Sequence, residues 1–235
     1  MIELTASDAQ TFAAYRADPP EAPKGAVVIL PEALASGDGV RRIADGFAAE
    51  GYVAVAPALA PDADTAWSLA AVQATVDAVK DVGKVAVVGY DRGGYLAFLA
   101  ANEVQGIACA IGYYGEGVSG TQRGKCKVPT LMHFGEADQL IPVEEVTQFR
   151  FVRPDVSAFT YPGAAHGFAA EGAAGYDADS AGKAQARTLN WIAQYVQGAP
   201  PASMKNAGAY ALAKTDKKGK KKDADKKDDM GPPMD

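Results

Sequence analysis

The chain has 235 residues, 48% of them hydrophobic, with a formal charge of −6, the composition of an ordinary globular protein with one sizeable core. The negative balance gives no reason to expect a nucleic-acid partner, and no run approaches the roughly 18 apolar residues that a membrane span needs. MIELTASDAQTF has no basic flank leading into an apolar run, and Cys109 and Cys126 are too few for a disulfide framework and lack metal-ligand spacing, so a cytoplasmic protein with free thiols, no secretory signal and no cofactor is expected.

In chain order, IELTASDAQTFAAYRA (2–17) reads as an antiparallel hairpin at a sheet edge, its two alternating runs separated by an Asp. Short apolar runs follow at 26–30, 52–56, 84–89, 107–114, 130–135 and 157–161, rich in Val, Ile and Ala as buried strands are. Helical patterns alternate with them at 39–50, 65–80, 94–104, 143–151 and 180–196. In the first of these helices Ile43, Phe47 and Ala48 share a face, and Trp67 and Trp191 read as core. This alternation predicts an α/β fold, a mostly parallel sheet covered by helices on both faces, over residues 1–197. A linker is expected at 198–213. The last segment, 214–235, holds eight Lys and six Asp and reads as a solvated disordered tail.

VVGYDRGGYLAFLA (87–100) breaks from a buried strand at Gly89, turns on Asp91 and enters a helix at Gly93 and Gly94. Such an elbow needs small neighbours, because the apical backbone is strained and the helix packs close; it holds up a nucleophile at a helix N-terminus. Downstream, HFGEADQLIP supplies Asp138 and YPGAAHGF supplies His166 in a loop. Nucleophile, acid, then histidine is the chain order of α/β-hydrolases. The other histidine, His133, sits in an apolar strand and reads as core; Cys109 likewise. Tyr90, Tyr113 and Tyr114 fall at strand ends, where packing competes with a pocket-lining role; Tyr90 is a candidate substrate contact.

From LPEALASG, EGYVAVAPAL, KVAVVGYDRGGYLAFLAA, AIGYYGEG, PTLMHFGEADQLIP and GAAHGFAAEGAAGYDADSAGKAQARTLNWI, the chain resembles the dienelactone hydrolases along nearly all of 2–197. The resemblance implies an α/β-hydrolase fold and a small-molecule substrate. It places Asp91 where that family has its nucleophilic Cys, and matches Asp138 and His166 to the rest of the triad. Glu32 corresponds to the glutamate that helps to activate the thiol. The backbone N–H groups of Arg92 and Ala33 correspond to the oxyanion hole. Two arginines that bind substrate in the family have no counterpart: ALAPDAD replaces the segment carrying one, and Ala170 stands for the other. Arg92, itself a departure from the family, is the candidate replacement.

A carboxylate nucleophile changes the chemistry. Its attack on an ester gives a high-energy mixed anhydride, whereas attack on a saturated carbon gives an alkyl ester that His166 and Asp138 can help water to hydrolyse. Haloalkane and fluoroacetate dehalogenases and epoxide hydrolases use this logic, and GYDRGG is locally similar to their elbow. Three readings stay open: covalent catalysis through Asp91, Asp91 as a base for direct water attack on an ester or lactone, and a non-catalytic binding member of the family.

Overall fold

The computed structural model describes residues 1–31, 37–121 and 124–201. Eight strands form one sheet: β1 (Ile2–Thr5), β2 (Thr11–Ala17), β3 (Ala26–Leu30), β4 (Val53–Pro57), β5 (Val85–Tyr90), β6 (Ile107–Tyr113), β7 (Thr130–Gly135) and β8 (Val156–Tyr161). Their spatial order is β1-β2-β4-β3-β5-β6-β7-β8, with β1–β2 and β2–β4 antiparallel and every other pair parallel. The hairpin therefore forms an edge, as its alternating pattern requires. All residues of β3, β4, β5 and β7 are buried. That two-sided burial explains their unbroken Val, Ala and Leu runs, since each fully buried Val, Leu or Ile contributes about 2 kcal/mol.

Among the described residues four α-helices lie between strands, α1 (Gly37–Ala49), α2 (Thr65–Asp77), α3 (Arg92–Glu103) and α4 (Val143–Val152), and a fifth, α5 (Ala178–Ile192), follows β8. In α1 the buried residues are Ala44, Phe47 and Ala48, with Ile43 half-buried beside them. The Asp64 carboxylate caps α2 by accepting from the Trp67 N–H. Asp177 does the same for α5 through the N–H groups of Asp179 and Ser180, which starts that helix two residues before the apolar pattern does. Trp67 and Trp191 are half-buried and not core: Trp67 packs its edge on Phe12, and Trp191 on Tyr195.

Strand geometry assigns the faces. An added Cβ at Gly89 or Gly112 would strike the backbone of α3, so those positions face α3, and Tyr90 and Tyr113, one residue on, face the other way. There Tyr113 meets Thr188 of α5. The strand order reverses between β3 and β5, the switch point at which open parallel sheets place their sites. β5 ends there.

Residues 1–199 form one unit; of a second, 200–235, only Pro200 and Pro201 are described. Glu32 and Ala33, and with them the expected oxyanion partner and accessory acid, lie outside the described residues, as do the tail and most of the linker.

Candidate active site

Asp91 stands between β5 and α3 with φ 54° and ψ −123°, a positive φ that a non-glycine residue adopts only under strain. Its N–H is tied to the Tyr113 carbonyl at 3.0 Å and its carbonyl to the Tyr95 N–H at 3.1 Å. The glycines make room for this turn. An added Cβ would lie 1.8 Å from the Gly93 carbonyl oxygen at Gly89, and 2.1 Å from that of Leu30 at Gly93. No side chain fits either approach.

His166 is carried by the loop after β8, and Asp138 by the loop after β7. The two loops are sewn together: the Ala137 N–H donates to the Ala164 carbonyl at 2.9 Å, and Gly135 packs against that same carbonyl. As a result His166 Nδ1 lies 2.8 Å from Asp138 Oδ2, and its Nε2 lies 3.5 Å from Asp91 Oδ1. The structure thus brings together the three residues that sequence order had grouped.

The Asp138 side chain is wholly buried, and its Oδ1 accepts from the N–H groups of Leu140 and Ile141. Burial pushes this carboxyl up, but the bonds from His166 and the two amides outweigh it, and the net shift is downward. Hydrogen bonds to Asp138 and then to Asp91 raise His166 to about 10 against the opposing effect of burial. Both carboxylates thus favour the protonated form of the imidazole. The Tyr114 ring packs edge-on to it, centroids 5.1 Å apart, from a residue that itself has φ 37°.

The family model for the dienelactone hydrolase family matches residues 12–68 and 62–196. The chain belongs to the dienelactone hydrolase family. It is a hydrolase of that family, and carboxymethylenebutenolidase from Pseudomonas putida is 29% identical to it over 225 residues, which cover 82% of this chain and 95% of the relative. Among solved structures, a dienelactone hydrolase-like promiscuous phosphotriesterase from metagenomic libraries superposes with a TM-score of 0.68 at 21% identity, covering 83% of this chain and 98% of the other. An esterase from the Planctomycetes species Thermogutta terrifontis gives 0.65 at 18% identity, covering 85% and 96% respectively. At such identities these two likenesses speak for the α/β-hydrolase fold alone.

In this dienelactone hydrolase family member the remaining sequence candidates lie apart. The Arg92 guanidinium donates to the Ala63 carbonyl and, at 3.3 Å, to the Ser68 hydroxyl, which draws it toward the start of α2. There it lines a cavity of about 320 Å³ together with Tyr15, Pro31 and Leu59. Tyr90 lines a different space, a cleft of about 850 Å³ flanked by α1 and α5. Tyr113 and Tyr114 share its lining, as does Ala170, the position where the family's arginine is missing. Asp91, Asp138 and His166 are not among the residues that line the cleft; two of those that are, Tyr90 and Tyr114, adjoin the site, Tyr90 as the residue before Asp91 and Tyr114 with its ring against His166.

His133 is fully buried on the Tyr113 side of the sheet, as a core histidine, and burial pushes it down to about 3. Its Nδ1 lies 2.8 Å from the Tyr161 hydroxyl and its Nε2 3.1 Å from that of Thr188, which lies 2.6 Å from the Tyr113 hydroxyl. Tyr90, Tyr113, His133 and Phe159 are register neighbours across four strands, a ring ladder that fixes the cleft floor. Cys109 is equally buried, its thiol raised to about 12 by burial, a core position and not a reagent. Among the described residues no group of His, Cys, Asp and Glu could hold a metal ion, and no helix is long and apolar enough to cross a membrane.

Proposed function

We propose that Asp91 is a covalent nucleophile toward a saturated carbon, forming an alkyl ester that His166, supported by Asp138, helps water to hydrolyse. The observation that carries this reading is the single imidazole held by two carboxylates, at 2.8 Å and 3.5 Å. Two carboxylates that favour the proton on the imidazole make His166 a poor base toward water in the resting protein, which favours the covalent route over water attack assisted by His166. Alkylation changes that, because the ester carries no charge. With Asp91 neutralised, one of the two hydrogen bonds that hold the proton on His166 weakens, and its affinity for a proton falls.

Proton accounting favours an epoxide over a carbon–halogen substrate. Asp91 Oδ attacks the epoxide carbon, the C–O bond breaks, and the alkoxide takes the proton from the His166 imidazolium. His166, now neutral, removes a proton from water, and the hydroxide adds to the Asp91 carbonyl carbon. Collapse expels the second alkoxide, which takes up the acid proton and leaves a diol, the Asp91 carboxylate and the imidazolium. A halide leaves without a proton, so His166 would first have to lose its own to solvent. In this reading the oxyanion forms on Asp91 beside the backbone N–H of Arg92 at the N-terminus of α3, with the N–H of Ala33 as second donor and Glu32 as a further acid. A cytoplasmic setting belongs to the same reading, in keeping with two free cysteines.

The second reading, ester or lactone hydrolysis with Asp91 as base, is favoured by the names of the relatives. One experiment separates them. His166→Gln protein given a panel of neutral epoxides, halides and esters is expected to accumulate a stoichiometric alkyl adduct on the peptide carrying Asp91 from a halide, whose departure needs no proton from His166, more slowly from an epoxide, and not from an ester. Ester turnover without an adduct, lost in Asp91→Asn, would replace the covalent reading with the direct one.

A further inference from the structure

The cleft flanked by α1 and α5 contains an unclaimed hydrogen-bond donor. Tyr90 is 6% exposed and stacks on Tyr113 with centroids 4.7 Å apart. The Tyr113 hydroxyl is taken by Thr188, whereas that of Tyr90 has no hydrogen-bond partner among the described residues. Burial alone pushes the Tyr90 phenol up, so it stays a donor at any working pH. The Tyr90 hydroxyl is not among the buried atoms left without a partner, so it is open to water or to a ligand acceptor.

The charge in the lining points to the kind of ligand. Its charged side chains are Arg42 of α1 and Glu171 of the loop beyond His166, and they are bonded to each other at 2.9 Å. Among the described lining residues no cation is left over for an anionic substrate. Between these groups lie aromatic rings and small residues; at Gly182 an added Cβ would meet nothing within 4 Å. A volume of about 850 Å³ suits a molecule of ten or more heavy atoms.

We infer that this cleft is the substrate subsite, and that it takes an uncharged molecule whose apolar body lies on the tyrosine floor while an oxygen acceptor bonds to the Tyr90 hydroxyl. The inference rests on the proposed Asp91 chemistry for its placement beside the reacting carbon, but its test is of binding and needs no turnover. Tyr90 sets specificity in this scheme, and small residues at Gly182 and Ala170 keep the space open.

The test uses three unreactive probes of nearly one shape: benzylacetone, neutral with an acceptor; hydrocinnamate, its carboxylate counterpart; and butylbenzene, with no acceptor. Calorimetry on the full chain is expected to show benzylacetone bound and hydrocinnamate at least about tenfold weaker. Tyr90→Phe keeps the ring and should weaken benzylacetone by roughly five- to tenfold while leaving butylbenzene unchanged. Gly182→Leu, a better helix former, should weaken both neutral probes by more than about tenfold. Hydrocinnamate binding as well as benzylacetone would overturn the neutral class. An unchanged benzylacetone affinity in Tyr90→Phe would remove the donor role, and an unaffected Gly182→Leu would place the ligand elsewhere. Should Asp91 prove never to be alkylated while these binding results hold, the covalent reading fails and the subsite stands.

Discussion

His166 Nε2 stands 3.5 Å from Asp91 Oδ1, at the end of an imidazole whose other nitrogen is already bound to the buried Asp138 at 2.8 Å. The electrostatics of the site follow from that one relationship, because a proton on His166 is shared between two anions.

The first expectation concerns titration. His166 is raised to about 10 by its bonds to Asp138 and Asp91, from an ordinary value near 6.5. Its contribution to stability is therefore complete below about pH 6.5 and is lost as the pH rises through about 10. Asp138 works in the opposite sense: lowered in the fold, it contributes above its ordinary value of about 3.9 and ceases to as pH falls through its folded one. Since burial holds His133 near 3, proton NMR between about pH 5 and 11 should show a single titrating imidazole. Asp91→Asn should lower that midpoint by more than about one unit, the change expected on losing one adjacent charge. A midpoint near 6.5 in the wild-type protein would contradict the clasped imidazolium.

How much of this was legible in the sequence depends on the range of the interaction. The strands were readable because two-sided burial leaves an unbroken apolar run, and their observed ends differ from the runs by a residue or so. The elbow was readable because Gly89, Gly93 and Gly94 answer to steric approaches below 2.5 Å, which only glycine meets. Asp138 and His166 were found by chain order. Nothing local marked Thr188 as the residue joining His133 to Tyr113, because that contact joins a helix to strands 55 and 75 residues away. Nor did the sequence reveal that Arg92 turns toward Ala63, or that Tyr114 would flank the imidazole.

A thiol at the elbow should change the reaction. In Asp91→Cys the nucleophile can form a thioester, and His166 loses one of the two carboxylates that keep it charged. The variant is expected to hydrolyse small activated esters such as para-nitrophenyl acetate with a burst, where the wild-type protein shows none. A folded variant with no burst would mean that the turn does not present its side chain to a substrate.

Two glycine substitutions should act with opposite sign. Gly93→Ala puts a methyl group 2.1 Å from the Leu30 carbonyl oxygen and is expected to destabilise by about 3 kcal/mol. Gly182→Ala, within α5 and facing open space, should stabilise by up to about 1 kcal/mol. Urea unfolding measures both; a neutral Gly93→Ala would refute the close packing of the elbow.

The buried network under the cleft should respond to loss of one hydroxyl. Thr188→Val keeps the shape but leaves His133 Nε2 and the Tyr113 hydroxyl without their shared partner, at a cost of about 2 kcal/mol. A change within about 0.5 kcal/mol, read from the same unfolding curves, would show that the network adds nothing to the fold.

The most direct measurement is a single turnover of a neutral epoxide such as styrene oxide in heavy-oxygen water, with the protein in excess. The account predicts one heavy oxygen in the peptide containing Asp91 and an unlabelled diol, because water attacks the enzyme ester and not the substrate carbon. A labelled diol beside an unlabelled Asp91 would contradict it.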